Sequence, residues 1–267
     1  MNLPQCQELL LAVDNGILTI ALNRPHKRNA MNTELVKGLM AVFNAIEDDL
    51  TIRAVVLRGE GGHFCAGGDI SGMNKEGQTE AEKAQAAWDF NRIFGHMITK
   101  VNSAPQVVIT LLEGAVMGGG FGLACISDVA ITDKDAKYAM PETGLGIIPA
   151  QIAPFVVSRI GLTQARRFGL LGERIDGVEA KELGLVHYLT DGPAEMQAVL
   201  NNVLKKVRRC APHANAVTKK LMLDVGKVEL ETLLDRAADD FTAALRSTEG
   251  QEGTSAFLAK RAPSWAE

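Results

Sequence analysis

Val107-Val108-Ile109-Thr110-Leu111-Leu112 runs directly into Glu113-Gly114-Ala115-Val116-Met117-Gly118-Gly119-Gly120-Phe121-Gly122-Leu123-Ala124. The first six residues read as a buried strand and the small residues after Gly120 as a helix, so the glycines between them mark a strand-to-helix turn. The same alternation continues towards the N-terminus. Residues 80–99 have helical spacing, residues 54–57 form a short apolar run, and Leu35, Leu39, Val42 and Ile46 make a helical stripe capped at Asn32 or Thr33. Before them, residues 9–13 and 17–22 flank Asp14-Asn15-Gly16 as a hairpin. Beyond the glycine turn, residues 129–132 supply another strand. Strands alternating with helices require crossover connections and parallel pairing, which is the α/β class. From about Gln151 onward the strand signal fades, and Gly161, Gly172, Gly184, Pro193 and Pro212 punctuate what reads as helix after helix. The expected organisation is an α/β core over residues 1–195 and a helical region over residues 196–267. Leu230, Leu233, Leu234, Ala237, Phe241 and Leu245 of that region need a covering surface, their own core or a neighbouring subunit.

The 267 residues are 46% hydrophobic and 22% charged, so the chain can bury a proper core and is not disordered. Its 28 basic and 32 acidic side chains leave a net charge of −4, which argues against nucleic acid as the main partner. The first residues lack the basic and apolar regions of a secretory leader, and no run approaches ~18 apolar residues; the expected location is cytoplasmic, with no membrane span. Cys6, Cys65, Cys125 and Cys210 are too scattered for a disulfide framework or a CxxC metal site.

Three segments could carry chemistry. In His63-Phe64-Cys65-Ala66-Gly67-Gly68-Asp69-Ile70, small residues let a ligand approach backbone amides, although such a loop also serves as a plain turn. The glycines 118–120 open a helix and present amides suited to an anion or oxyanion; they are too contiguous for a dinucleotide fingerprint. In Pro141-Glu142-Thr143-Gly144-Leu145-Gly146, Glu142 stands among small and apolar neighbours that would raise its pKa for acid–base work, or it is an ordinary surface carboxylate. His63 and His187 have no companion at metal-ligand spacing, and Cys65 and Cys125 read as packed hydrophobes. Lys205, Lys206, Arg208 and Arg209 read as the solvated face of a helix.

Together these segments, with Leu22-Asn23-Arg24-Pro25, Arg28-Asn29-Ala30-Met31, Asp128 and residues 179–186, resemble the crotonase family of enoyl-CoA hydratases and isomerases over nearly the whole chain. The resemblance implies a spiral of ββα units, a helical C-terminal trimerisation region, assembly as a homotrimer or hexamer, and an acyl-CoA thioester substrate with no separate cofactor or metal. It implies that the amides of Gly68 and Gly119 form an oxyanion hole. Lys27, Arg28, Ala30 and the loop Ala66, Gly67, Gly68, Asp69 and Ile70 match coenzyme A positions, and Phe257 with Lys260 matches a pair that reaches coenzyme A from a neighbouring subunit. Many hydratases of the family carry two glutamates. The first would fall at Gly122, here a substrate-facing position without a carboxylate, and only Glu142 remains. That pattern, with the stretch 147–157, is most similar to the branch that hydrates glutaconyl-type thioesters such as isohexenylglutaconyl-CoA or 3-methylglutaconyl-CoA. A Δ3,Δ2-enoyl-CoA isomerase is the alternative, and a silent CoA-binding or RNA-binding member a third.

Overall fold

A computed structural model describes residues 3–69 and 79–266. Its main sheet has the order β1-β2-β3-β4-β6-β9, formed by β1 (Leu9–Asp14), β2 (Ile17–Leu22), β3 (Ala54–Gly59), β4 (Val107–Leu112), β6 (Val129–Asp133) and β9 (Tyr188–Thr190). β1 and β2 form the expected antiparallel hairpin, and every later pair in this sheet is parallel. A second sheet has the order β5-β7-β8, formed by β5 (Ala115–Met117), β7 (Lys137–Ala139) and β8 (Arg174–Asp176).

The two sheets are linked turn by turn. After β4 the chain bends at Gly114 and enters β5; after β6 it enters β7, which pairs parallel to β5. Gly114 has φ +53°, and a Cβ there would lie 2.3 Å from both the Gly62 carbonyl oxygen and His63 Nδ1, so the corner requires glycine. One level earlier the chain leaves β3 and bridges Cys65 to Val116, and one level earlier still Met31 bridges Gly68. Each turn of the chain thus adds one strand to the main sheet and one rung to the smaller one, the crotonase-like spiral.

Helices cover both faces of the main sheet, which explains why its strands are apolar runs and not alternating ones. On one face, α1 (Thr33–Ala45), α2 (Glu80–Asn102) and α3 (Gly119–Ile126) pack around Phe43, Phe64, Met97 and Phe121. On the other, α6 (Pro193–Arg209) lays Met196, Leu200, Val203 and Val207 against Ile17, Val56, Ile109 and Ile131. A boundary at residue 195 therefore falls inside α6, and α6 belongs to the core.

The remaining helices are α4 (Ala153–Leu171), broken at Gly161 with φ +74°, α5 (Gly177–Glu182), α7 (Pro212–Asp224), α8 (Leu230–Arg246) and α9 (Thr248–Leu258). The stretch from Gln151 onward is not wholly helical, since β8 and β9 interrupt it. Both are three residues long, and pairing with β7 and β6 holds them in place. Among the described residues no helix is long and apolar enough to cross a membrane.

Candidate active site

The loop after β3 is held from two sides and released in between. Cys65 N–H donates to the Ala115 carbonyl (2.8 Å), and Met117 N–H to the Cys65 carbonyl (2.9 Å). Gly67, at φ +102°, then swings the chain away from β5, and the Met31 amide donates to the Gly67 carbonyl (2.7 Å) while the Asp69 amide donates to the Met31 carbonyl (2.9 Å). In such a parallel bridge the residue between the two bonds turns its own N–H and C=O the other way. That residue is Gly68, and its amide has no acceptor among the described residues.

The start of α3 supplies a second free amide. Gly118, at φ +50°, donates its N–H to the Ala139 carbonyl (3.0 Å), which leaves Gly119 as the first helical residue with no acceptor for its own N–H among the described residues. Gly68 and Gly119 line one cavity of ≈ 180 Å³ together with Ala66, Gly67 and Gly118, Phe90 and Phe94 of α2, Glu142, and Leu145, Ile147, Ile148 and Ile152.

Glu142 opens a short 3₁₀ turn, Glu142–Leu145, which Thr143 pins by donating its hydroxyl to the Gly169 carbonyl (2.9 Å). The carboxylate lies against α3: a Cβ on Gly118 would come 2.9 Å from Glu142 Oε1. Glu142 Oε2 is buried without a hydrogen-bond partner among the described residues. Burial raises the pKa of this carboxyl above its ordinary value, partly offset by a backbone hydrogen bond. Among the described residues Glu142 is the sole acidic one lining the cavity.

The expected site residues divide into groups. Ala66, Gly67, Gly68, Gly119 and Glu142 meet in the cavity. Lys27 and Arg28 lie exposed at the adjoining 3₁₀ turn, Pro25–Lys27, tied to the glycine loop by Ala66 N–H donating to the Arg28 carbonyl (3.0 Å). The Ala30 carbonyl accepts from Arg24 Nη1. Asp69 pairs with Arg24 Nη2 at 2.9 Å, so its carboxylate tethers the loop. Ile70 lies outside the described residues. Phe257 and Lys260, at the end of α9, do not line the cavity of their own chain, and Phe257 is 82% exposed.

Gly122 is corrected by the structure: it is absent from the cavity wall. A Cβ there would lie 2.4 Å from Ile152 Cγ2 and 3.1 Å from Ile98 Cδ1, so two isoleucines fill the space a side chain would need. It is a packing position and faces no substrate space.

Sequence reasoning missed Phe90, Asn91 and Phe94 on α2, and Gln151 and Ile152 before α4. The i,i+4 spacing of Phe90 and Phe94 was a visible signal, and so was a single glutamine amid the apolar stretch 147–157. It also gave no role to Asn29, which is buried at φ +57° and ties the Arg24–Ala30 loop to the turn before Phe64. Asn29 Nδ2 donates to the carbonyls of Glu60 (2.8 Å) and His63 (2.6 Å), and Oδ1 accepts from Arg24 N–H (2.8 Å).

The other candidates are structural. Burial pushes the thiols of Cys65 and Cys125 up to about 12, as befits packed apolar groups. His63 and His187 accept backbone N–H bonds from Ala115 and Ala130, and burial beside Arg159 lowers His187 to about 4. Among the described residues no group of three or more His, Cys, Asp or Glu is arranged to hold a metal ion. A larger open groove of ≈ 800 Å³ between α6 and the β1–β2 turn carries charges of both signs, and neither free glycine amide reaches it.

Residues 12–267 match the enoyl-CoA hydratase/isomerase family model. Pseudomonas aeruginosa AtuE is 53% identical, covers 97% of this chain and 100% of its own, and superposes with a TM-score of 0.94. An enoyl-CoA hydratase/isomerase from Marinobacter aquaeolei is also 53% identical, over 98% of this chain and 100% of its own, with a TM-score of 0.92. The 2,3-dehydroadipyl-CoA hydratase of Escherichia coli is 29% identical over 96% of this chain and 97% of its own length. With the spiral, the paired glycine amides and the carboxylate beside them, this agreement makes the chain an enzyme of the enoyl-CoA hydratase/isomerase family.

Proposed function

We propose that the enzyme hydrates a branched, glutaconyl-type enoyl-CoA thioester, isohexenylglutaconyl-CoA or 3-methylglutaconyl-CoA, with Glu142 as its single acid–base residue. The observation that carries this reading is the Glu142 carboxylate, its buried Oε2 without a hydrogen-bond partner among the described residues, in the same apolar cavity as the amides of Gly68 and Gly119. The thioester carbonyl accepts from both amides. Glu142 takes a proton from water as the water oxygen bonds to the β-carbon, and the double-bond electrons move through the α-carbon onto the carbonyl oxygen. The resulting enolate collapses as Glu142 returns the proton to the α-carbon, so water is added and the carboxylate is regenerated. Each fixed amide donor aimed at such a developing oxyanion is worth about 3 kcal/mol.

Several features support the glutaconyl substrate. Leu145, Ile147 and Ile148 extend the cavity as an apolar, partly open wall suited to a branched aliphatic substituent. Filled space at Gly122 leaves no place for a second protein carboxylate. The Escherichia coli relative is itself named for a carboxylated enoyl thioester.

Coenzyme A would lie along Lys27, Arg28, Ala30 and the Ala66–Asp69 loop. Phe257 and Lys260 of a neighbouring subunit would complete that surface in a homotrimer or hexamer. The same lone carboxylate also suits a Δ3,Δ2-isomerase, which needs only to carry a proton between the α- and γ-carbons. A panel of straight-chain, methyl-branched and carboxylated branched enoyl-CoA esters, followed by loss of the conjugated thioester absorbance, tests the proposal. The highest kcat/KM is expected for the carboxylated branched ester. A 3-enoyl-CoA converted to the conjugated ester in heavy water without hydration would favour the isomerase.

A further inference from the structure

α2 lines the cavity through Phe90, Asn91 and Phe94, and beside that lining it carries Arg92, a cation with no carboxylate partner among the described residues. Arg92 is half-buried, and its one described side-chain partner is Gln151 Oε1, to which Nη1 donates at 3.3 Å. Among the described residues no acidic side chain lies within ion-pair distance of it. By contrast, Arg24, Arg58, Arg167, Arg236 and Arg261 each hold one. Arg53 and Arg159 also lack a carboxylate in ion-pair range, but each spends its donors on several backbone carbonyls. A guanidinium has five donors, and one long bond to a neutral amide leaves most of them unused. Gln151 in turn donates from Nε2 to Asn91 Oδ1 at 2.8 Å, which leaves the Asn91 amide nitrogen without a partner among the described residues. Gln151 and Asn91 both line the cavity that holds Glu142.

Gly95 shows that this cluster is built in. It lies inside the 23-residue helix α2, where glycine costs about 1 kcal/mol relative to alanine. A Cβ at Gly95 would stand 2.0 Å from Gln151 Oε1 and 2.7 Å from Arg92 Nη1. The absent methyl is what seats the carboxamide and the guanidinium against the helix backbone.

We infer that Arg92, Gln151 and Asn91 form a carboxylate-recognition subsite that binds the distal carboxylate of the substrate and sets the enzyme's preference for carboxylated enoyl thioesters. The planar guanidinium fork matches a carboxylate, and the amide donors of Asn91 and Gln151 extend the same surface. This inference rests on the glutaconyl-type reading and names the residues that would enforce it.

The test compares kcat/KM for 3-methylglutaconyl-CoA with that for its neutral methyl ester at the distal carboxyl, in the wild type, Arg92→Gln, Arg92→Lys and Gln151→Glu. The wild type is expected to prefer the free acid. Arg92→Gln should reduce that preference roughly tenfold to a hundredfold, the range for a hydrogen bond to a charged group. Arg92→Lys should keep an intermediate preference, because it retains charge but loses the fork. Gln151→Glu occupies Arg92 with an internal carboxylate and repels the substrate's own, so it should lose the preference as well, and it keeps the test alive if Arg92→Gln folds poorly.

The readout is a ratio, so a general folding defect lowers both substrates together. If Arg92 instead held a coenzyme A phosphate, both esters would lose affinity alike and the ratio would stay at the wild-type value. A wild type without preference would overturn the glutaconyl reading itself. A wild-type preference that survives in both Arg92→Gln and Gln151→Glu would overturn this inference and leave that reading standing.

Discussion

At Gly122 the space that a side chain would need is already filled by Ile152 and Ile98. Ile152 Cγ2 occupies the place where a side chain would begin, so Gly122→Ala should overpack the α3–α4 contact and cost about 1–3 kcal/mol, measured by chemical denaturation. Gly122→Glu alone should add no hydratase activity towards straight-chain esters. Pairing it with Ile152→Ala removes the obstructing methyl and should recover fold stability relative to Gly122→Glu; a double variant less stable than Gly122→Glu would show that Ile152 is not the obstacle. Glu142 invites a second prediction. Its pKa is raised in the folded protein by burial, so the folded state holds its proton more tightly than the unfolded chain does. Stability from this group therefore falls as pH rises from the unfolded carboxyl value through the folded one. Glu142→Gln should then melt higher than wild type at neutral pH, with the gap closing as the pH is lowered through the carboxylate range. The same shift places the acidic limb of the kcat/KM profile above the ordinary glutamate value, and that limb should vanish in the variant.

At the scale of elements, the glycine loop and the start of α3 were legible because glycine at positive φ is a local necessity: Gly67 and Gly118 turn the chain where side chains are strained. β1 through β4 and α1 were legible from their periodicity. β8 and β9 were not, because three residues carry no period; they are strands only by virtue of Tyr138↔Ile175 and Ile131↔Tyr188 pairing across long stretches of chain. Ile152 against Gly122 was invisible for the same reason. The free amide of Gly119 depends on how α3 begins, and a Cβ there would meet Met31 Cε at 2.6 Å and Phe94 Cε2 at 3.1 Å. Gly119→Val should consequently displace the helix start and lower kcat more than it raises KM. Normal turnover by this variant would remove Gly119 from the oxyanion role.

At the scale of the whole molecule, α6 is part of the core while α8 and α9 leave apolar side chains in water. Leu200 packs under the main sheet, so Leu200→Ala should cost about 2–5 kcal/mol. Leu234, Phe241, Leu245, Phe257 and Leu258 remain exposed, and Phe257 and Lys260 do not line their own chain's cavity. An apolar surface of this kind marks an interaction site. We propose that it is covered by further copies of this chain. Phe241→Asp should shift the sedimentation velocity of the protein towards monomer and reduce turnover in parallel, whereas an unchanged oligomer would place the interface elsewhere.

In the proposed hydration one carboxylate performs both proton transfers. The direct measurement is steady-state hydration of the carboxylated branched enoyl-CoA by Glu142→Gln, at saturating substrate, beside the wild type. Loss of general acid–base catalysis predicts that kcat falls roughly 10²- to 10⁴-fold with KM little changed. A variant that keeps more than a small fraction of wild-type kcat would contradict the central claim and require another group to move the proton.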